Sequence, residues 1–251
     1  MSVKIIGHRG DPEHAPENTM ASFKKAIQAG VDGIELDVHM SRDRTLVVHH
    51  DETVMTPDGE RPIAHLTWSQ LKAIPGGAGE RMPALTEVLR WAKRKGVWLN
   101  LELKGGPGRY PGMEQAVHRL VKAHGLINQV LISSFHAGML QALKRMDPGV
   151  SVGLLHYTDG FDPLGTALRI GAQALHPFFT SVSPQLVNDC HRVGLNVYPW
   201  TVDDLHLAKG LIQMGVDGII TNTPKQMVRL RDQLQRSPRR KKGRSGEGKR
   251  L

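Results

Sequence analysis

From residue 84 onward the chain repeats one unit: a helix-forming stretch, a glycine near its close, then a short apolar run. Helices are expected over 85–95, 113–123, 136–145, 163–170, 184–192, 203–213 and 224–235, and Gly96, Gly125, Gly194 and Gly215 fall at or just past helix ends. Glycine closes helices well because it enters the left-handed conformation without steric cost. The intervening runs are apolar almost throughout, as strands buried on both faces are, and that is the habit of a parallel sheet with helices outside it. Counting from the N-terminus, strand candidates lie at 3–7, 33–38, 98–103, 130–132, 150–155, 172–175, 196–199 and 217–220. The run at 46–48 follows its predecessor with no helix between them and reads as an accessory piece. Eight such units predict an α/β protein with a closed (β/α)8 TIM barrel, whose active site sits where the strands end.

A chain of 251 residues is long for one domain of ordinary kind but usual for a single barrel. The barrel domain is expected over 1–235. Residues 51–83 are rich in Gly and Pro, with one short helix near Trp68 to Ile74, and read as an irregular insertion. The formal charge of +9 invites a nucleic-acid or membrane partner until it is located. Residues 236–251 carry eight Lys or Arg against one Glu, so the body is only about +2. The segment RSPRRKKGRSGEGKRL lacks apolar periodicity and is expected to be a disordered basic tail. A solubilising terminus is the first explanation for it and weak attachment to an anionic surface, lipid or nucleic acid, the second; specific nucleic-acid binding is not expected. Cys190 is the only cysteine, which excludes an internal disulfide. No apolar run approaches the length of a membrane span, no secretory leader is recognisable, and a cytoplasmic enzyme is expected. Oligomeric state is not legible.

The chemistry concentrates at strand ends. Val3 to Ile6 leads into His8-Arg9-Gly10. On the next strand, Glu35 and Asp37 are two residues apart and share a face, while Ile34, Leu36 and Val38 take the other. In Trp98-Leu99-Asn100-Leu101-Glu102-Leu103-Lys104 the leucines alternate with a polar set, and in a barrel that set faces the lumen. Glu35, Asp37 and Glu102 together make an all-oxygen donor set suited to a hard cation, Mg²⁺ or Ca²⁺, with Mn²⁺ possible, and nothing offers the Cys/His set that zinc favours. A salt-bridged lumen neutralised by Arg9 and Lys104 is the competing structural explanation. His8 and His50 are the candidate acid and base, because imidazole serves either role near neutral pH; alternation along the strand does not separate His50 from His49. Arg9 and Lys104 are the phosphate-binding candidates. Glu17 and Asn18 either support the carboxylates or cap the following helix, and Gly33, Gly153 and Gly218 suit turns or close packing.

The ordered series HRG, PENT, ELDV, HHD, LELK, SSF, WTVDD and GVDGIITNTP, spread over roughly residues 3 to 230, resembles the glycerophosphodiester phosphodiesterase family. The resemblance implies metal-dependent hydrolysis of a glycerophosphodiester, such as glycerophosphocholine or glycerophosphoethanolamine, to glycerol 3-phosphate and an alcohol. It implies Glu35, Asp37 and Glu102 as metal ligands and His50, which precedes Asp51, as the second catalytic histidine. It also implies Trp200 as a border of the glycerol pocket and the 51–83 insertion as a small lobe near the barrel mouth. The Arg-Thr pair that the family carries shortly after its HD motif is replaced by Val54-Met55-Thr56-Pro57. A lysophospholipase D using the same site, and a non-catalytic anion-binding barrel, are the alternatives; the first needs an apolar entrance that the polar 51–83 segment does not advertise.

Overall fold

The computed structural model describes residues 3–75, 77–106, 108–157 and 162–236. Its elements run in order β1 (Lys4–His8), α1 (Met20–Ala29), β2 (Gly33–Met40), β3 (Leu46–Val48), β4 (Thr53–Thr56), β5 (Gly59–Pro62), α2 (Trp68–Ala73), α3 (Leu85–Lys95), β6 (Trp98–Leu103) and α4 (Met113–Ala123). There follow β7 (Val130–Ser134), α5 (Ala137–Met146), β8 (Ser151–His156), α6 (Pro163–Ile170), β9 (Ala174–Pro177), α7 (Pro184–Arg192), β10 (Asn196–Val197), α8 (Leu205–Met214), β11 (Gly218–Thr221) and α9 (Pro224–Arg236). Eight strands pair in the parallel order β10-β9-β8-β7-β6-β2-β1-β11, with β3 antiparallel on β2. Single bonds link the two ends of that order: Asp217 N to Val197 O, and Ile220 N to Pro199 O, each at 3.0 Å. The result is a nearly closed (β/α)8 barrel.

Alternation explains the core. Ile34, Leu36, Val38, Leu99, Leu101 and Leu103 face the helices and are 0–2% exposed; burying each side chain contributes about 1.5–3 kcal/mol. The polar residues between them turn into the lumen, which is why the site can exist on fully buried strands. Between α1 and β2, Gly30 takes a φ of 90° and closes the helix onto Ala26 and Ile27 carbonyls, so the chain turns directly into the strand. Gly33 is a packing position, since a Cβ there would lie 2.4 Å from the Trp98 ring.

Three expectations need correction. The strand expected at 172–175 lies two residues later, because Ala174–Pro177 is the wholly buried stretch. The strand expected at 196–199 keeps ladder pairing only at Asn196–Val197, although Tyr198 and Trp200 still donate to Leu175 and Pro177. Residues 51–83 are not simply irregular: β4 and β5 form an antiparallel hairpin whose turn uses Gly59 at φ 103°. Only Val54 of that hairpin is buried, so it carries almost no apolar pattern. The insertion nevertheless has an apolar underside of its own, Val54, Ile63, Leu66 and Leu71 packed with Val47. Of the basic tail expected over 236–251, Arg236 ends α9 and the rest lies outside the described residues. Among the described residues no helix is long and apolar enough to cross a membrane.

Candidate active site

The strand ends converge as their sequence positions require. Asp37 and Glu102 are paired neighbours in the β2–β6 ladder, and Glu35 stands opposite Asn100 and beside His8. Oxygens of Glu35, Asp37 and Glu102 all lie within 4.8 Å of one another. Two cations brace them: Lys104 Nζ is 3.0 Å from Glu102 and 3.3 Å from Asp37, and Arg9 Nε is 3.3 Å from Asp37. Arg9 N also donates to Glu35 at 3.0 Å. Arg9 and Asn18 both sit at left-handed φ, 55° and 56°, a conformation costing on the order of 1 kcal/mol for a residue with a Cβ. The turn accepts that cost where it aims Arg9 and Asn18 at the acids.

The three acids are unequal. Burial would raise the Asp37 carboxyl, but Lys104, Arg9 and the Asn18 amide outweigh it and hold Asp37 below its ordinary value. Burial, then repulsion from Asp37 and Glu102, pushes Glu35 well above the carboxylate range. Burial and Asp37 push Glu102 up to about 7 against the opposing pull of Lys104. One oxygen of Glu35 and both polar atoms of the Asn100 amide are buried without a hydrogen bond. Such groups are costly to bury unless a partner completes them. The donor set, the unpartnered oxygen and the excess negative charge fit a hard divalent cation, so the purely salt-bridged lumen is an incomplete account.

Around the acids stand the remaining candidates. His8 is mostly buried, with Nε2 3.9 Å from Glu35 and Nδ1 2.7 Å from Asn222. Burial and the Arg9 charge lower its imidazole below the ordinary value, opposed by Asn222 and Asp37. His50 pairs through Nδ1 with Asp51 at 2.7 Å. His49 lines a separate cleft of about 440 Å³ between the Pro16–Thr19 turn and the insertion. Trp200 borders a small cavity with His8, Glu35, Asn100 and Glu102. Its indole Nε1 donates to the His176 carbonyl at 2.9 Å.

Asn18 and Thr19 divide the two roles left open by the sequence. Thr19 caps α1, while Asn18 donates to Asp37 at 2.8 Å. Glu17 takes both Arg9 Nη1 hydrogen bonds at 2.9 Å, so part of the guanidinium fork is already engaged. Sequence reasoning passed over His39. It continues the Glu35–Asp37 alternation, is held by the Tyr110 hydroxyl at 2.7 Å, and anchors the His50 carbonyl at 3.1 Å. Burial lowers its imidazole to about 4. The signal was the same period of two, carried one step further.

The family described as glycerophosphoryl diester phosphodiesterase matches residues 8–226. The chain belongs to that family. It is accordingly a phosphoric diester hydrolase, built on a barrel with short additions. A glycerophosphodiester phosphodiesterase from Caldanaerobacter subterraneus subsp. tengcongensis is 40% identical over 238 residues, covering 92% of this chain and 98% of that one. A crystal structure from Silicibacter pomeroyi, of a protein described as a putative member, superposes with a TM-score of 0.86 at 26% identity, covering 93% and 94% of the two chains. An Oleispira antarctica phosphodiesterase, in complex with the product sn-glycerol-3-phosphate, superposes with a TM-score of 0.85 at 28% identity over 92% and 97%.

Proposed function

We propose that this phosphodiesterase hydrolyses small glycerophosphodiesters, glycerophosphocholine and glycerophosphoethanolamine among them, to glycerol 3-phosphate and an alcohol. Glu35, Asp37 and Glu102 hold a divalent cation, Mg²⁺ or Ca²⁺ with Mn²⁺ as a substitute. Bound there, such an ion supplies charge neutralisation and polarisation of the phosphoryl oxygens. The observation that carries the reading is the carboxylate triad within 4.8 Å, braced by Arg9 and Lys104. The product complex of the Oleispira antarctica protein supports the product assignment.

The chain's own residues divide the remaining work. Arg9 and Lys104 present cationic hydrogen-bond donors beside the acids, and these stabilise charge that builds on the phosphoryl oxygens during attack. Trp200 gives the glycerol carbons an apolar border. His8 and His50 form the acid–base pair: one takes a proton from the attacking oxygen, the other returns one to the departing alkoxide, which is otherwise a poor leaving group. The test is release of glycerol 3-phosphate from the two substrates in EDTA and with each cation, beside Glu35→Ala, His8→Ala and His50→Ala. Metal-dependent release, lost in Glu35→Ala and reduced at least about a hundredfold in each histidine variant, is expected. Release that ignores EDTA, or near wild-type turnover in a histidine variant, overturns the assignment.

A second reading, lysophospholipase D, rests on an apolar surface that the 51–83 segment does not provide. Trp200 packs on Phe135 and Phe178 at 5.5 Å and on Tyr157 at 5.9 Å, with Phe178 also against Tyr157 at 4.7 Å and Phe179 at 4.5 Å. These are five of the chain's twelve Phe, Tyr and Trp residues. Phe135 and Tyr157 are 42% and 56% exposed, so the cluster runs from the catalytic cavity out to solvent. An acyl chain on the substrate glycerol gains apolar contact there. Lysophosphatidylcholine turned over no better than glycerophosphocholine, or turned over equally well by Tyr157→Ala, rules this reading out.

A further inference from the structure

One line of hydrogen bonds at the barrel mouth belongs neither to the triad nor to the sheet. Antiparallel pairing of β3 on β2 passes through His39 and Val47 and runs on to His49, whose N–H donates to the Asp37 carbonyl at 3.1 Å. Among the described residues the backbone pairing of these two strands stops there, one residue short of His50. A side chain takes over. His39 Nε2 meets the His50 carbonyl at 3.1 Å, and His39 Nδ1 meets the Tyr110 hydroxyl at 2.7 Å.

The order of these bonds follows from what each group can do. A carbonyl oxygen only accepts, so His39 Nε2 carries a proton. In the neutral ring Nδ1 is left with a lone pair, and the Tyr110 hydroxyl donates to it. The relay therefore runs from Tyr110 through His39 to the backbone of His50. It is packed as well as bonded: His39 is fully buried, Tyr110 nearly so, and their rings meet edge-on with centroids 5.7 Å apart.

Tyr110 arrives from the connection between β6 and α4. Near the start of that connection Gly105 takes a φ of 75°, and a Cβ there would lie 3.0 Å from the Tyr110 ring. Glycine thus lets the chain fold back and bring the hydroxyl to His39. The next residue towards the strand, Arg109, pairs with Glu52 on the far side of His50. Both partners of that pair are about half exposed, so it adds little by itself.

We infer that Tyr110 and His39 are positioning residues that hold the His50 backbone, and with it the imidazole, where turnover needs it. This rests on the phosphodiesterase reading given above. Among the described residues neither side chain bonds to the three carboxylates, so their loss should be felt in kcat and not in cation binding.

Release of glycerol 3-phosphate from glycerophosphocholine tests this in the full chain, over a range of substrate and of the cation that supports turnover. Tyr110→Phe keeps the ring and removes the donor. It should lower kcat about tenfold to a hundredfold, the cost of a small misplacement at a reacting group. KM and the cation concentration for half-maximal rate should stay at their wild-type values. His39→Leu should fall at least as far as Tyr110→Phe. His39→Gln should retain most of the rate, because its amide offers a donor towards His50 and an acceptor towards Tyr110. Adding Tyr110→Phe to His39→Leu should cost nothing further, since Tyr110 acts only through His39.

A merely structural pair behaves otherwise. The two losses would add, His39→Gln would be as slow as His39→Leu, or the melting temperature would drop while kcat held. Each of these overturns the relay, as does wild-type kcat in Tyr110→Phe. If His39→Leu does not fold, Tyr110→Phe and His39→Gln carry the test. Amide hydrogen exchange needs no turnover: in Tyr110→Phe the His49 amide should exchange faster, while the amides of β6 keep their protection. A wild-type enzyme that releases nothing under any cation removes the phosphodiesterase reading. Unchanged exchange at His49 removes the relay whatever the activity.

Discussion

Asn18 grips Asp37 from both sides: its amide nitrogen donates to Asp37 Oδ2 at 2.8 Å, and its carbonyl accepts from the Asp37 backbone at 3.2 Å. The most heavily braced carboxylate of the triad is thus fixed by a residue nineteen positions away that itself cannot bind the cation through the same atoms. Asn18→Ala should weaken divalent-metal affinity and kcat by about tenfold to a hundredfold, as removal of an outer-shell partner does. Because Thr19 still caps α1, the melting temperature without metal should move by only a few degrees. Metal titration followed by activity, together with a melt, separates the two effects; unchanged metal affinity would count against the role of this contact.

Glu35 is the acid whose ionised form the protein tolerates least, since burial, Asp37 and Glu102 all act to raise its proton affinity. Removing its charge should therefore damage function without damaging the metal-free fold. In EDTA, Glu35→Gln should match the wild type in stability or exceed it, because a buried acid that burial, Asp37 and Glu102 all disfavour in its ionised form is replaced by a neutral amide. With Mg²⁺ or Ca²⁺ the order should reverse: a ligand at a hundred times its dissociation constant stabilises the wild type by about 2.7 kcal/mol, and the variant should gain far less. Urea unfolding with and without cation gives all four values. A large loss of stability in the metal-free variant would show that Glu35 is held by pairing and not by a missing cation.

The barrel was legible because helix-forming stretches, closing glycines and apolar strand runs repeat from residue 84 onward, and on β2 and β6 polar residues alternate with apolar ones at a period of two. The carboxylates and Lys104 follow from that period alone, and His39 would have followed by one more step. Asn222 was written in a recognisable motif, but its contact with His8 was not readable. The bond from Asn222 to His8 spans 214 positions and exists only because β11 returns beside β1. The choice of His50 over His49 came from family resemblance, and the geometry gives each a different surrounding without altering that dependence. The β4–β5 hairpin escaped notice because only Val54 of its strands points inward.

Gly33 shows the same logic in packing. It opens β2 opposite Trp98, and a Cβ there would lie 2.4 Å from the ring and 3.1 Å from the Trp98 carbonyl. The ring cannot retreat freely, since Lys4 lies over it at 5.5 Å and Tyr198 meets its edge. Gly33→Ala should destabilise by about 1–3 kcal/mol, the usual range for overpacking, and should lower activity as well because Glu35 is two residues further along. Pairing it with Trp98→Leu should recover part of the stability. An alanine variant with wild-type unfolding midpoint would mean that the strand start shifts at no cost.

His176 sets the pH dependence of the fold away from the carboxylates. It is wholly buried on β9, edge-on to Tyr198, with neither ring nitrogen hydrogen-bonded among the described residues. Burial lowers its imidazole from 6.5 to about 3. Between those values the unfolded chain binds a proton that the folded chain refuses, so stability is complete above pH 6.5 and falls as the pH drops towards 3. From pH 7 to pH 5 this one group should cost about 2 kcal/mol. His176→Leu, close in volume and unable to take a proton, should lose less stability over that interval by the same amount, whatever its stability at pH 7. Urea unfolding of both proteins at the two pH values tests it. Equal losses would mean that the ring is protonated in the folded barrel, and that water or a backbone shift reaches a position the packing closes.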